Sequence, residues 1–407
     1  MYNSLKRPTN WEIIIMTKHE QKNEKSKIIL FCQGGAGDVM AHTPAIRYFK
    51  TKYPDDELIV LSTYSQLLEN NPHIDKLISL KDPKDFYSEY ILNKNVRFFK
   101  KHFVYDGIMD EPAKGCKCLP EFICKMYDAE YDGRPLDYVI TDYEKRAAQV
   151  FMGQYKFINR PLVLLHCTGS IPSDGNFNKT NNLKDLNIGL MTQLVAKYKE
   201  QMLFIHIGLE GEPKIEGTID ALGMSLREAV ALFPLADSYI IIESIFAHCT
   251  NALKTNGIVV FQNMNPDFFG YSNNYNVSWT GGCKSWPCNR PVGALLDLNP
   301  GYQNPKTRQQ LLWECANQVC AQIPLEKLEK ALLESLDKNK QKGNPALEAA
   351  RATPPPSPVF STIATPSCGK VMAGDVNIEN IHTAPLHETK EEIKEVPVKK
   401  KAKKDKK

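Results

Sequence analysis

The sequence predicts an α/β protein of two successive parallel-sheet halves facing a central cleft, followed by a polar tail. Three observations predict it. Short continuous apolar runs recur along the chain, each ending in a glycine-containing or polar loop and followed by a segment with helical spacing. The pattern starts twice, at Lys27–Cys32 and again at Leu162–Leu165. Beyond about Lys338 the composition changes to Pro-rich and then Lys/Glu-rich sequence that has nothing to bury.

The length of 407 residues exceeds one ordinary core, so two domains plus extensions are expected. The divisions read from composition are 1–25, a polar leader; 26–155, the first half; 156–337, the second half; and 338–407, a disordered tail. In the first half, Lys27–Cys32 reads as a buried strand that stops at Gln33–Gly37. Val39–Tyr53 then carries Val39, Ile46 and Phe49 at helical spacing until Pro54 breaks the helix, and Leu58–Leu61 reads as the next strand. A β-α-β unit of this kind implies a right-handed crossover and a parallel sheet. The pattern continues less clearly through Leu77–Ile78, Gly115–Cys124 and Tyr138–Ile140.

The second half repeats the order with a helix over Ile188–Tyr198, a strand over Leu203–Gly208, a short helix over Ser225–Phe233, and strands over Ser238–Ile242 and Ile258–Phe261. Two such halves suit an enzyme with its site between them.

The net charge of +4 is small, and the Lys-rich terminus accounts for it, leaving the folded part close to neutral. A nucleic-acid-binding core is therefore not expected. The early apolar run Trp11–Met16 is too short for a signal peptide or membrane span, so the expected location is cytoplasmic. Two readings of the tail stand: a solubilising extension, or a basic arm for peripheral association with an anionic membrane or partner.

A glycine cluster between a strand and a helix brings backbone N–H groups close to an anion. A nicotinamide dinucleotide fails here on two counts. Gly35–Met40 lacks the third glycine of that fingerprint, and the second strand ends in Ser62–Thr63 rather than an acid. Asp38 near the helix start would repel a pyrophosphate; it reads either as a base in the cleft or as a helix cap.

The run Gly34–Arg47, with Lys52–Asp55 and Leu68–Asp75 after it, resembles the opening of glycosyltransferase family 9, which includes the ADP-heptose:lipopolysaccharide heptosyltransferases. The resemblance spans roughly residues 27–335 and is strongest at its start. It implies a GT-B fold of two Rossmann-like domains, the first for the acceptor and the second for a nucleotide-diphosphate sugar, possession of a heptose donor among the options. By position, Asp38 takes the family's general-base role, with Gly35, Gly37 and His42 on the acceptor-side loop.

In the second half the resemblance implies donor contacts from Thr168, Lys184, Gly208, Glu243, Ser244 and His248. Lys179 competes with Lys184, and His248 either faces the site or packs. Leu186 and Asn187 replace the family's Trp-Pro, Glu243 replaces an Asp, and Ile245 replaces a glycine. A β-branched residue at 245 would resist a left-handed backbone and obstruct close approach.

The expected activity is transfer of a sugar to a hydroxyl of a glycan, lipid or protein, with no cofactor required. The alternatives are an inactive glycan-binding or scaffold protein of the same fold, and a nucleotide-sugar epimerase. Cys283, Cys288, Cys315 and Cys320 form two pairs of equal spacing that suit a structural zinc or iron; buried free thiols are the other reading.

Overall fold

The computed structural model describes residues 26–81, 83, 86–92, 95–100, 115–155, 159–169, 184–283, 286–287 and 319–342. The leader, Lys179, Cys288, Cys315 and the tail from residue 343 onward lie outside the described residues.

The first half holds a four-stranded sheet in the order β3-β2-β1-β4, built from β1 (Lys27–Cys32), β2 (Glu57–Ser62), β3 (Lys76–Ser79) and β4 (Val96–Phe99). All its pairings are parallel. Helices α1 (Ala36–Ala41), α2 (Thr43–Lys52) and α3 (Leu119–Met126) pack together beside it. The single helix expected over Val39–Tyr53 is thus two helices that meet at His42. Pro44 is the cause: it has no N–H to donate, and its ring clashes with the carbonyl four residues back. The freed groups are recovered locally. Thr43 Oγ1 donates to the Met40 carbonyl at 2.9 Å, and His42 Nδ1 meets the Asp38 carbonyl at 2.6 Å.

Tyr138–Ile140 is no strand. Side chains rather than a ladder claim the backbone around it: the Leu136 amide donates to Asn251, the Asp137 amide to Thr43, and the Val139 carbonyl accepts from Arg227. The segment therefore straps the two halves together, and α4 (Asp142–Gly153) follows it with a complete capping box at Thr141 and Glu144.

The second half holds a six-stranded sheet, also parallel, in the order β10-β9-β8-β5-β6-β7. Its strands are β5 (Leu162–His166), β6 (Leu203–Gly208), β7 (Ile219–Leu222), β8 (Ser238–Ile242), β9 (Ile258–Phe261) and β10 (Tyr275–Ser278). Its helices are α5 (Ile188–Tyr198), α6 (Leu226–Leu232), α7 (Ile245–Ala252), the single turn α8 (Pro266–Phe269) and the closing α9 (Leu325–Lys342). Leu328, Leu332 and Leu336 recur at helical spacing and are buried, so α9 runs past residue 338, where the composition had suggested the tail begins.

In each sheet the strand order reverses beside the leading strand, β1 in one and β5 in the other. Crevices at such reversals, beyond the carboxyl ends of the strands, are where open α/β sheets take ligands. No helix among the described residues is long and apolar enough to cross a membrane.

Candidate active site

Strand β1 ends in a turn at Gly34, whose φ of 115° is open to glycine at low cost. A Cβ there would also lie 2.7 Å from the Asp38 carboxylate. That carboxylate folds back over the turn, and Oδ2 accepts the Gly35 N–H at 2.7 Å. Asp38 therefore acts as a cap for the Gly35 amide, and its surroundings set it apart from an ordinary capping carboxylate. It is 6% exposed, and burial pushes its pKa up to about 6. The Gly35 bond and the Lys184 charge pull it down, while Glu243 pushes it up, so its field comes from the second half as well as from its own turn.

Lys184 pairs with the buried Glu243, at the end of β8. Helix α7 starts immediately after, with Ser244 at its N-cap in extended conformation. The Ser244 side chain caps no backbone N–H; its Oγ lies 3.4 Å from His166 Nδ1. A helix start without a side-chain cap turns its positive end outward, which suits an anion.

Ile245 is helical rather than left-handed, since the non-glycine residues of positive φ are Asn70, Asp128 and Lys254. It packs partly buried against the core, so the backbone strain expected from the lost glycine is absent at this position. The Leu186-Asn187 departure is likewise structural: Leu186 is buried in the second core, and Asn187 caps α5 through the Leu190 amide at 3.1 Å.

His248 and Gly37 form the contact between α7 and α1. The imidazole lies where a Cβ on Gly37 would come within 2.8 Å of it, so only glycine lets the helices approach this closely. Nδ1 shares a 2.6 Å hydrogen bond with the Tyr271 hydroxyl, and burial lowers the pKa to about 4, leaving the ring neutral. The packed reading of His248 holds. His42 is packed in the same sense: it is buried beside Tyr127 and tied to the Asp38 carbonyl. Gly35 is exposed at the mouth of the turn.

Thr168 follows β5, and Gly169 is anchored by its amide to Asp185 Oδ1 at 2.7 Å. At the end of β6 a Cβ on Gly208 would collide with the Glu212 carboxylate, 2.6 Å away. Glu212 was not singled out from the sequence. Its Oε1 accepts the Leu209 amide at 2.7 Å, Thr168 hydrogen-bonds it, and burial pushes its pKa up to about 7. Its Oε2 faces the buried His206 Nε2 at 4.0 Å. The signal that would have found it was present: an acid three residues after a strand-ending glycine and a Leu, matching Asp38 after Gly34 and Gly35.

The structure thus brings Asp38, Gly37, Lys184, Glu243, Ser244 and His248 to one place between α1 and α7, with Thr168, Gly208 and Glu212 grouped at the ends of β5 and β6. Of the four cysteines expected to hold a metal, only Cys283 and Cys320 are among the described residues. Cys283 is half-buried and Cys320 buried, and among the described residues no group of three or more His, Cys, Asp or Glu is placed to hold a metal.

No protein-family model matches the chain, and no curated protein matches it. Solved structures do. A glycosyl transferase of family 9 from Veillonella parvula superposes with a TM-score of 0.55 at 14% identity, over 77% of this chain and 97% of that one. The iron-containing dodecameric glycosyltransferase TibC from enterotoxigenic E. coli gives 0.53 at 14% identity, over 79% and 80%. TibC in complex with ADP-D-beta-D-heptose gives 0.52 at 13%, over 82% and 84%. Two parallel sheets, each with its loop at the strand-order reversal, and these superpositions agree with the resemblance read from Gly34–Arg47: the chain has the GT-B fold and is similar in structure to glycosyltransferases of family 9.

Proposed function

We propose that the protein transfers a sugar from a nucleotide-diphosphate donor to an acceptor hydroxyl, with Asp38 as the general base. The observation that carries this reading is the set of charges on Asp38. A buried carboxylate pushed to about 6 is mostly ionised near neutrality yet a stronger base than an ordinary carboxylate, and it feels Lys184 and Glu243 from the opposite half.

The steps balance simply. Asp38 accepts the proton of the acceptor hydroxyl as that oxygen bonds to the anomeric carbon, and the bond from that carbon to the diphosphate breaks. The leaving diphosphate gains negative charge, which Lys184 and the start of α7 at Ser244 offset. Thr168 and Gly208 lie on the donor side, with Glu243 beside the sugar. His248 holds α7 against Gly37 and so fixes the distance between base and donor. These positive groups supply the charge stabilisation, so the proposed transfer has no metal step. Closing the halves around both substrates would exclude water and suppress hydrolysis.

A thermal-shift screen of nucleotide sugars, starting with ADP-heptose because TibC was solved with it, tests the reading. A ligand that binds only the folded state raises the apparent Tm, by about 2.7 kcal/mol of stabilisation at a hundredfold excess over Kd. The expected result is a shift with at least one diphosphate sugar that falls to about half or less in Lys184→Met. No shift with any of them would favour the inactive-scaffold alternative.

A further inference from the structure

The two faces of the first sheet are covered very differently. Ile28, Leu30, Leu58 and Val60 point toward the large core that includes Val39, Phe49 and Phe122 of α1, α2 and α3. The alternate residues, Ile29, Phe31, Ile59, Leu61, Ile78 and Val96, point the other way. Among the described residues, what packs there is Leu80, Phe86 and Tyr90, the last on a short π-helical turn, Tyr87–Ile91, that Phe86 precedes. Parallel sheets ordinarily have both faces buried under helices, because both faces are apolar.

The consequence is a concentration of exposed apolar side chains. Tyr87 (65%), Ile91 (45%), Leu92 (64%) and Phe98 (39%) are half of the large hydrophobic residues that are exposed among those described, and all lie within one short stretch of chain. Phe98 continues the sheet face through Phe86, 6.4 Å away between ring centroids. Clustering of this kind marks an interaction surface, whereas single exposed apolar residues do not.

The charge around the patch is mixed but basic on balance. Lys27 and Lys76 lie over the Tyr90 ring at 5.7 and 5.1 Å, and Lys100 lies over the Phe31 ring at 5.7 Å. Their neighbours in ion pairs are Glu57 and Glu89. Between positions 76 and 101 the sequence carries seven Lys or Arg against three Asp or Glu. Lysine ammonium groups set beside aromatic rings are suited to a boundary between hydrocarbon and charged headgroups, where the apolar parts can sink and the charge can stay at the polar side. A second copy of the same patch would set lysine against lysine, so self-association through it is disfavoured.

We propose that this face of the first sheet docks on an anionic lipid surface, Tyr87, Ile91, Leu92 and Phe98 entering the headgroup boundary and Lys27, Lys76 and Lys100 meeting the lipid phosphates. The inference stands on the patch alone and does not require the transferase reading. It also differs from binding through the Lys-rich tail, and the two are separable.

The test is co-sedimentation of the full chain with phosphatidylcholine vesicles made with and without phosphatidylglycerol. Wild type should partition onto the anionic vesicles, and Tyr87→Ser with Leu92→Ser should weaken this by about tenfold or more, since membrane affinity scales with buried apolar area. Lys100→Glu, a surface change that spares the apolar residues, should weaken it at low salt and less at high salt. Substituting Lys399, Lys400, Lys401, Lys403 and Lys404 by Gln should leave most of the partitioning in place. The proposal is overturned if wild type ignores anionic vesicles, if the double variant partitions like wild type, or if the tail variant alone abolishes binding. It is equally overturned if light scattering shows an oligomer that the double variant dissociates, because the patch is then an interface between copies.

Discussion

The turn after β1 and the turn after β6 use the same local device. Each has a glycine whose Cβ would strike a carboxylate, and in each that carboxylate reaches back to a backbone amide, Asp38 to Gly35 and Glu212 to Leu209, both at 2.7 Å. Burial raises both pKa values, to about 6 and about 7. What differs is the view from the far side of each group. Asp38 feels Lys184 and Glu243 from the opposite half; Glu212 faces His206 within its own half. Desolvation and capping therefore do not identify a base on their own, because a turn that needs closing produces both. The charges brought from a separate part of the chain make the distinction.

The largest expected effect breaks that comparison at Asp38. Asp38→Asn keeps an oxygen to accept the Gly35 amide, so the fold should hold, while a general base is lost at a cost of roughly a hundredfold to ten-thousandfold in kcat. In wild type the base must be ionised, so kcat should fall as pH drops through about 6. Circular dichroism of the variant together with a kcat profile checks both parts. A variant with wild-type turnover would reduce Asp38 to a cap.

A smaller effect sharpens the role of the far side. Lys184 lowers the Asp38 pKa, so Lys184→Met should move the acid limb of the profile to higher pH. The same change removes a charged hydrogen-bond donor from the proposed diphosphate and should weaken donor binding by on the order of tenfold to a hundredfold. Tighter donor affinity, or a limb displaced toward acid, would contradict the placement of this lysine.

The resemblance and the recurring strands made the fold legible, because parallel strands buried on both faces must read as apolar runs. Asp38 was legible for a different reason: its glycines, its helix and its position agree. The break at His42 was written in Pro44, but the apolar spacing of Val39, Ile46 and Phe49 runs straight through it. The turn at Glu212 could have been read by its likeness to the one at Asp38, but the burial of Glu212 and His206 was not legible, since it depends on where β6 delivers them. Arg227 belongs with them. Its bonds to Glu144, the Gln66 carbonyl and the Val139 carbonyl join residues far apart in the chain and hold α6 to α4. Ile245 shows the opposite error, where a family pattern suggested strain that ordinary helical geometry avoids.

The smallest expected effect completes the comparison at Glu212. Its folded pKa, about 7, is raised above the ordinary 4.5, so the folded state favours the protonated carboxyl. That contribution to stability is full below pH 4.5 and is lost as pH rises through about 7. Gln cannot ionise, and its amide still offers a donor toward His206. Glu212→Gln should therefore match wild type in Tm at about pH 5 and exceed it by a few degrees at about pH 8, on the order of 1 kcal/mol after allowance for solvent screening. Turnover should change little beside the loss in Asp38→Asn. A Tm difference that stays constant across this range would mean Glu212 is already ionised in the folded protein, and the two turns would then differ in electrostatics as well as in what they face.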